Sequence, residues 1–240
     1  IKCLKNLGMK FYFNHNAENV SSADLVVYSS AISPDNPELV YAEKNGIAVM
    51  KRSELLGKIA DSFPISVAVC GSHGKTTTAT WIAKLLKALG EDVSWCIGGE
   101  TGAMPVAGAA TNPDRPLVVE ADESDGTLAL YRAKILVVMN LDYDHPEHFP
   151  TPASYLACYE TAMAQSERVV KAWELDASDY PELPTLVNGA HNVVNARAAI
   201  EVALRRGHSR AAVEAVLQVE NETAAIAGSL ASHNDVFFIA

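Results

Sequence analysis

The chain contains 240 residues, 49% of which are hydrophobic, so it can bury a sizeable core and is not expected to be disordered. Its 19 basic and 29 acidic side chains give a formal net charge of -10, which argues against nucleic acid or an anionic membrane surface as a main partner. No apolar run approaches the roughly 18 residues of a membrane-spanning segment, and we therefore expect no membrane insertion.

The N-terminal part of the chain predicts a small strand–helix–strand unit. Apolar residues at 25–31 and 47–51 favour strands, and the segment between them favours a helix that begins after Asn36 and stops at Gly46. The next apolar run, at 65–70, is continuous, which is typical of a parallel strand buried on both faces.

The rest of the chain alternates between predicted strands and helices. A helix with one apolar face follows the 65–70 strand and ends at Gly90, and two more buried strands are predicted at 116–120 and 135–140. Three later helices are predicted at residues 151–167, 191–207 and 209–218. The alternation predicts an α/β fold with a doubly wound, mostly parallel sheet. We divide the chain into domains at residues 1–60, 61–218 and 219–240.

A glycine-rich segment between the buried strand and its helix has the features of a phosphate-binding loop. Gly71 and Gly74 allow the backbone to approach an anion and to point its N–H groups at it. Lys75 is then placed to contact the β- and γ-phosphates, and the Thr76 hydroxyl to ligate Mg²⁺. Val69 stands where the usual pattern has glycine, and an ordinary glycine-rich turn is the alternative interpretation.

Acidic and histidine side chains follow the next two predicted strands. Glu120, Asp122, Glu123 and Asp125 come at the end of the 116–120 strand. Carboxylates at a strand end beside a phosphate loop suit a Mg²⁺ site, with a solvated acidic loop as the alternative. The segment after the 135–140 strand contains a set of residues whose spacing alone also allows zinc: Asp142, Asp144, His145, Glu147 and His148.

Five ordered blocks of the chain resemble the Mur ligases, the ATP-dependent amino-acid ligases of peptidoglycan synthesis. These blocks are residues 24–59, the phosphate loop with its histidine two residues before the lysine, "VVEADESDGTLAL", "VVMNLDYDH" and "GAHNVVNARAAIEVAL". The resemblance implies a phosphate-loop-type central domain and a partial Rossmann-like N-terminal domain that binds UDP. It is strongest to the branch that ligates L-alanine to UDP-N-acetylmuramate through an acyl phosphate. The branch that recycles muropeptides is the near alternative.

The resemblance also assigns the site residues. It implies Lys75, Glu120 and His145 as catalytic residues, with Thr76 and Glu120 on Mg²⁺ (or Mn²⁺), and His145 at or near a second Mg²⁺. Asp144 is expected to orient that imidazole by accepting a hydrogen bond from it. ATP is expected to contact Gly71, Ser72, His73, Gly74, Lys75, Thr76, Thr77, Asn192 and Asn195, with the two asparagines, and more weakly His191, at the adenine. Weaker expectations place the uridine diphosphate near Ser29 and Ser30 and the muramoyl part near Gly98 and Gly99.

The family pattern contains more chain than these residues. It has an opening strand and glycine-rich loop before this N-terminus, a longer stretch between residues 175 and 186, and a C-terminal domain after about residue 218. If these residues are the whole molecule, the alternative of another class is an ATP-binding module without ligase activity. Four cysteines without C-x-x-C spacing favour reduced thiols in a cytoplasmic protein, and cell-wall growth, shape and division are the implied context. The sequence does not predict an oligomeric state.

Overall fold

The computed structural model describes residues 8–99, 107–108, 114–181, 183 and 189–228. The chain divides into two compact units, Ile1–Leu56 and Gly57–Ala240. The division falls within a helix, Arg52–Ser62, near the boundary placed at residue 60. Of the C-terminal segment placed at 219–240, residues after 228 lie outside the described part.

The first unit is built around two parallel strands with a helix between them. Strand β1 (Leu25–Tyr28) pairs with β2 (Ala48–Lys51), and α1 (Pro37–Lys44) connects them. Asn36 caps α1, because its side-chain oxygen accepts a hydrogen bond from the Glu38 N–H at 2.9 Å. The predicted strand–helix–strand order is confirmed. The helix Arg52–Ser62, which we label α2, was missed.

The second unit contains a six-stranded sheet. Its strands are β3 (Ser66–Cys70), β4 (Ser94–Cys96), β5 (Ala107–Gly108), β6 (Leu117–Glu120), β7 (Ile135–Val138) and β8 (Arg168–Lys171). The spatial order is β5-β4-β6-β3-β7-β8, and every pair is parallel except β4 with β5. The central strand β3 is buried along its whole length, as its continuous apolar run predicts. The sequence analysis identified β3, β6 and β7 and missed the other three.

Four helices accompany this sheet. They are α3 (Lys75–Ala88), α4 (Pro152–Gln165), α5 (Ala190–Arg205) and α6 (Arg210–Gly228). The apolar face predicted for α3 is buried with β3, β6 and α5 in one core cluster. Helix α6 runs ten residues beyond its predicted end. Gly189 is the N-cap of α5, so Asn192 lies within the first turn of the helix.

No helix in the described parts of the chain combines the length and the apolar character needed to span a membrane.

Candidate functional site

The glycine-rich loop lies at the C-terminal end of β3, between the ends of β6 and β7. Gly71 has φ +128°, and a Cβ there would lie 3.0 Å from the backbone nitrogen of Asn140. Gly74 has φ +84°, and its Cβ would lie 2.7 Å from Oδ1 of Asn195. Both glycines are therefore required by backbone conformation and by close neighbours. The loop is held tightly against β7 and α5.

The N-terminus of α3 opens into a small cavity. Gly74 is its N-cap and supplies no side-chain hydrogen bond, so the first N–H groups of the helix have no cap of their own. The cavity measures about 280 Å³ and is lined by residues 72–77 and Glu120. A helix N-terminus with open N–H groups and a neighbouring lysine favours an anion, and phosphate above all.

Lys75 is anchored at the base of this cavity. Its ammonium donates hydrogen bonds to the Gly71 carbonyl at 2.8 Å and to the two carboxylate oxygens of Glu123 at 2.9 and 3.1 Å. The Glu123 side chain is fully buried, and that of Lys75 is 15% exposed. The sequence analysis placed Glu123 among four acidic residues without a role of its own, because its partner lies 48 positions away in the chain.

Thr76 and Glu120, the two residues expected to supply oxygen ligands to Mg²⁺, lie side by side. The Thr76 hydroxyl lies 3.0 Å from both carboxylate oxygens of Glu120, and the Gly98 N–H donates to that carboxylate at 2.7 Å. Two neighbouring ligands of an octahedral Mg²⁺ with bonds of about 2.0–2.1 Å are about 2.8–3.0 Å apart. The observed spacing therefore fits a Mg²⁺ ion. Gly99 lies against the Thr76 methyl group, since a Cβ there would be 3.3 Å from it.

His145 lies at the edge of the same region, but its neighbours are Glu123, Asp144 and Glu147. Its Nε2 is 3.9 Å from the Glu123 carboxylate, and its Nδ1 is 3.2 Å from Glu147. Asp144 accepts from the backbone N–H of His145 at 2.8 Å, whereas its other oxygen is 3.8 Å from the ring. The expectation that Asp144 orients the imidazole by a hydrogen bond is therefore wrong, because the carboxylate is turned to the backbone and Glu147 takes that place.

Among the described residues, His145 contacts Glu123, Asp144 and Glu147 rather than Thr76 or Glu120, so its role at a second Mg²⁺ stays a prediction. Among the residues that the structure describes, no group of three or more His, Cys, Asp or Glu side chains is arranged around a common point. His148 is exposed and packs edge-on against Phe149, which fits a surface residue. The zinc alternative gains no geometric support from these positions.

Asn140, which the sequence analysis did not select, holds the phosphate loop to β7. Its side-chain oxygen accepts from the His73 N–H at 3.0 Å, and its amide donates to the His73 carbonyl at 2.9 Å. This paired contact fixes the loop at the residue before Gly74. The only sequence signal for Asn140 is its place just beyond the end of a buried strand. That strand, β7, is a neighbour of β3 in the sheet.

Ser72 is fixed from the other side of the loop. Its hydroxyl contacts the Asp142 carbonyl and lies 2.9 Å from the Tyr155 hydroxyl, which in turn is 3.0 Å from the Tyr159 hydroxyl. Burial raises the pKa of both tyrosines, so the two phenols stay protonated at neutral pH. A chain of hydroxyl groups therefore connects the loop to the buried face of α4.

A second, larger cleft of about 510 Å³ begins on the other side of His73 and Gly74. Its lining includes Met139, Asn140, Trp173, His191, Asn192 and Asn195. The two predicted asparagines lie together, with the Asn195 amide 3.5 Å from the Asn192 oxygen. Trp173, which is 48% exposed, was not selected from the sequence. An aromatic ring beside carboxamides has the chemistry to bind a flat base that carries both donors and acceptors.

Ser29 and Ser30 belong to the first unit, where they directly follow β1. The Ser29 carbonyl accepts a hydrogen bond from the Ile32 N–H at 3.0 Å, which forms a turn. Their predicted contact with uridine diphosphate stays a prediction.

The doubly wound sheet, with an anion-binding loop between its central strand and the following helix, defines an α/β protein of the phosphate-loop type. The model of the Mur ligase family, catalytic domain, matches residues 1–64, and that of the Mur ligase middle domain matches residues 69–168. Together these matches cover most of the chain. The chain belongs to the Mur ligase family.

Named relatives agree with this assignment. UDP-N-acetylmuramate–L-alanine ligase of Gloeobacter violaceus is 37% identical over 175 residues, which are 72% of this chain and 37% of that protein. The same enzyme of Renibacterium salmoninarum is 34% identical over 84% of this chain and 53% of its own length. The crystal structure of UDP-N-acetylmuramate-alanine ligase MurC from Thermotoga maritima superposes with a TM-score of 0.76 at 25% identity, covering 89% of this chain and 58% of that one. This chain thus spans about a third to a little over half of the length of these relatives.

Proposed function

We propose that the chain is the nucleotide-binding part of an ATP-dependent ligase that joins L-alanine to UDP-N-acetylmuramate in peptidoglycan precursor synthesis. The observation that carries the proposal is that the N-terminus of α3, Lys75 and the Thr76–Glu120 pair all face the same cavity. The names of the similar proteins supply the substrates.

ATP fits the two clefts on either side of Gly74. The phosphates suit the smaller cavity, where Lys75 and the helix N–H groups supply positive charge. The adenine suits the larger cleft, beside Asn192 and Asn195. Thr76 and Glu120 would hold Mg²⁺ or Mn²⁺, which when bound neutralises negative charge on the phosphates.

The remaining substrates fit the metal side of the cavity. The carboxylate of UDP-N-acetylmuramate would lie near the γ-phosphate, beside Gly98 and Gly99, and its phosphorylation turns a poor leaving group into a good one. The L-alanine amine then attacks the acyl carbon, and phosphate departs. Lys75 stabilises the charge that spreads over the transferred phosphoryl group. We place this activity in the cytoplasm, in keeping with the reduced thiols of Cys70 and Cys158.

Two measurements on the chain test the proposal. Titration calorimetry with a non-hydrolysable ATP analogue and Mg²⁺ should show one site, and absence of binding would refute the proposal. Phosphate release with UDP-N-acetylmuramate should then depend on L-alanine. Release that depends instead on a preformed L-Ala-γ-D-Glu peptide would identify a muropeptide-recycling ligase. Binding without release under either condition would identify an ATP-binding module without ligase activity.

A further inference from the structure

Glu123 is a fully buried carboxylate that has no role in the reaction proposed above. It follows β6 in the loop after Glu120 and has no exposed side-chain area. A buried carboxylate is costly unless it is paired with a cation and hydrogen-bonded. The described partner that meets this need is Lys75, at 2.9 and 3.1 Å, and the imidazole of His145 lies nearby, at 3.9 Å.

We propose that Glu123 is the positioning residue that fixes the Lys75 ammonium at the phosphate cavity before nucleotide binds. The inference rests on the proposed function, since it assigns Lys75 to the phosphates of ATP. Glu123 itself does not line that cavity. Its effect on the nucleotide therefore passes through Lys75.

The contacts of the ammonium explain how the positioning works. A lysine ammonium has three protons and no acceptor. In the described structure, the ammonium donates to the Gly71 carbonyl and to both oxygens of the Glu123 carboxylate. A phosphate oxygen would take over one of the two Glu123 contacts, and the other two contacts would still hold the ammonium. The long side chain is thereby held in one conformation at 15% exposure. A ligand-facing charge that is already fixed needs no rearrangement at the moment of reaction.

The same carboxylate faces His145, which comes from the loop after β7. His145 has φ +57°, an uncommon conformation for a residue with a side chain. Glu123 thus lies between a side chain of the phosphate loop and one of the β7 loop.

Glu123→Gln tests the proposal, because glutamine keeps the size and an acceptor oxygen but removes the charge. The matched control is Glu91→Gln, which removes the charge of another largely buried carboxylate, paired with Arg206 and His208 and placed beyond the opposite end of α3 from the loop. A purely stabilising role predicts the same behaviour from the two variants. Thermal unfolding establishes that both variants are folded before they are compared.

The first readout needs no nucleotide. In the ¹H–¹⁵N spectrum of lysine ammonium groups, the wild-type chain should give a slowly exchanging Lys75 signal, assigned by its absence in Lys75→Arg. We expect the signal to disappear in Glu123→Gln through exchange at least about tenfold faster, as for a solvated ammonium, and to persist in Glu91→Gln. A Lys75 signal unchanged in Glu123→Gln would overturn the proposal.

The second readout separates positioning from binding. We expect Glu123→Gln to lower the rate of phosphate release at least about tenfold, with an affinity for the ATP analogue within about threefold of wild type. Equal release rates in Glu123→Gln and wild type would also overturn the proposal. If the wild-type chain binds no analogue, the proposed function fails, and the ammonium spectrum still decides whether Glu123 fixes Lys75.

Discussion

Replacing Gly74 with alanine tests whether the phosphate loop and α5 fit together as closely as the structure indicates. The φ of +84° costs an L-residue about 1–2 kcal/mol. The new Cβ would lie 2.7 Å from Oδ1 of Asn195, whose side chain is only 5% exposed and cannot move freely into solvent. Overpacking of this kind costs about 1–3 kcal/mol. We therefore expect Gly74→Ala to lower the free energy of unfolding by about 2–5 kcal/mol.

Gly90→Ala is the matched control for the backbone term. Gly90 has φ +89°, but nothing lies within 4 Å of its added Cβ, so only the cost of about 1–2 kcal/mol applies. Urea denaturation followed by tryptophan fluorescence reports on the second unit, because all three tryptophans lie between residues 81 and 173. Gly74→Ala should also weaken binding of the ATP analogue, and Gly90→Ala should not. Equal destabilisation by the two variants would refute the close contact with Asn195.

Three further outcomes are expected. Lys75→Ala should reduce phosphate release by about 10³-fold or more with an unchanged far-UV spectrum, and near-wild-type turnover would contradict the phosphate-loop assignment. Activity should require Mg²⁺ or Mn²⁺, whereas stoichiometric zinc in elemental analysis of the purified protein would favour the zinc alternative. Burial of Glu91 raises its pKa, but hydrogen bonds from Arg206 and His208 outweigh this and leave the pKa below its ordinary value. The resulting stabilisation is present above about pH 4.5 and is lost as the pH falls through the lowered pKa. Glu91→Gln should therefore lower the free energy of unfolding by about 1.5–3 kcal/mol at neutral pH. Urea titrations should show this difference from wild type shrinking as the pH falls through the lowered pKa of Glu91. A gap that stays constant with pH would contradict the ion-pair origin of the effect.

The elements that the sequence predicted share one property. Each has a local sequence pattern that indicates the element without knowledge of its neighbours in the fold. The continuous apolar run of β3 and the Thr151 cap with Pro152 at the start of α4 are of this kind. Strands β4, with three residues, and β8, with charged residues at both ends, carry little periodicity. They become strands because a neighbour in the sheet offers its hydrogen bonds.

The residues of the candidate site also differ in whether a local sequence pattern indicates them. The phosphate loop and the Glu120 strand end could be predicted, because a glycine pattern and a run of acids are visible locally. Asn140 and Trp173 could not, since each acquires its place from a neighbour far away in the chain. The pairing of Glu123 with Lys75 could not be predicted either, because four acidic residues within six positions give no sign of which side chain is buried.

The central position of β3 has a consequence during protein synthesis. Its two partners, β6 and β7, are both made later, and Val138 leaves the ribosome's catalytic centre 68 residues after Cys70. At about 5–20 residues per second, the nascent chain keeps an apolar strand with at least one unpaired edge for roughly 3–14 s. Asn195, whose side chain lies against Gly74, is synthesised later still. The growing polypeptide therefore passes through a period in which its central strand is open to other strands, and a chaperone that covers short apolar segments would act usefully at that stage.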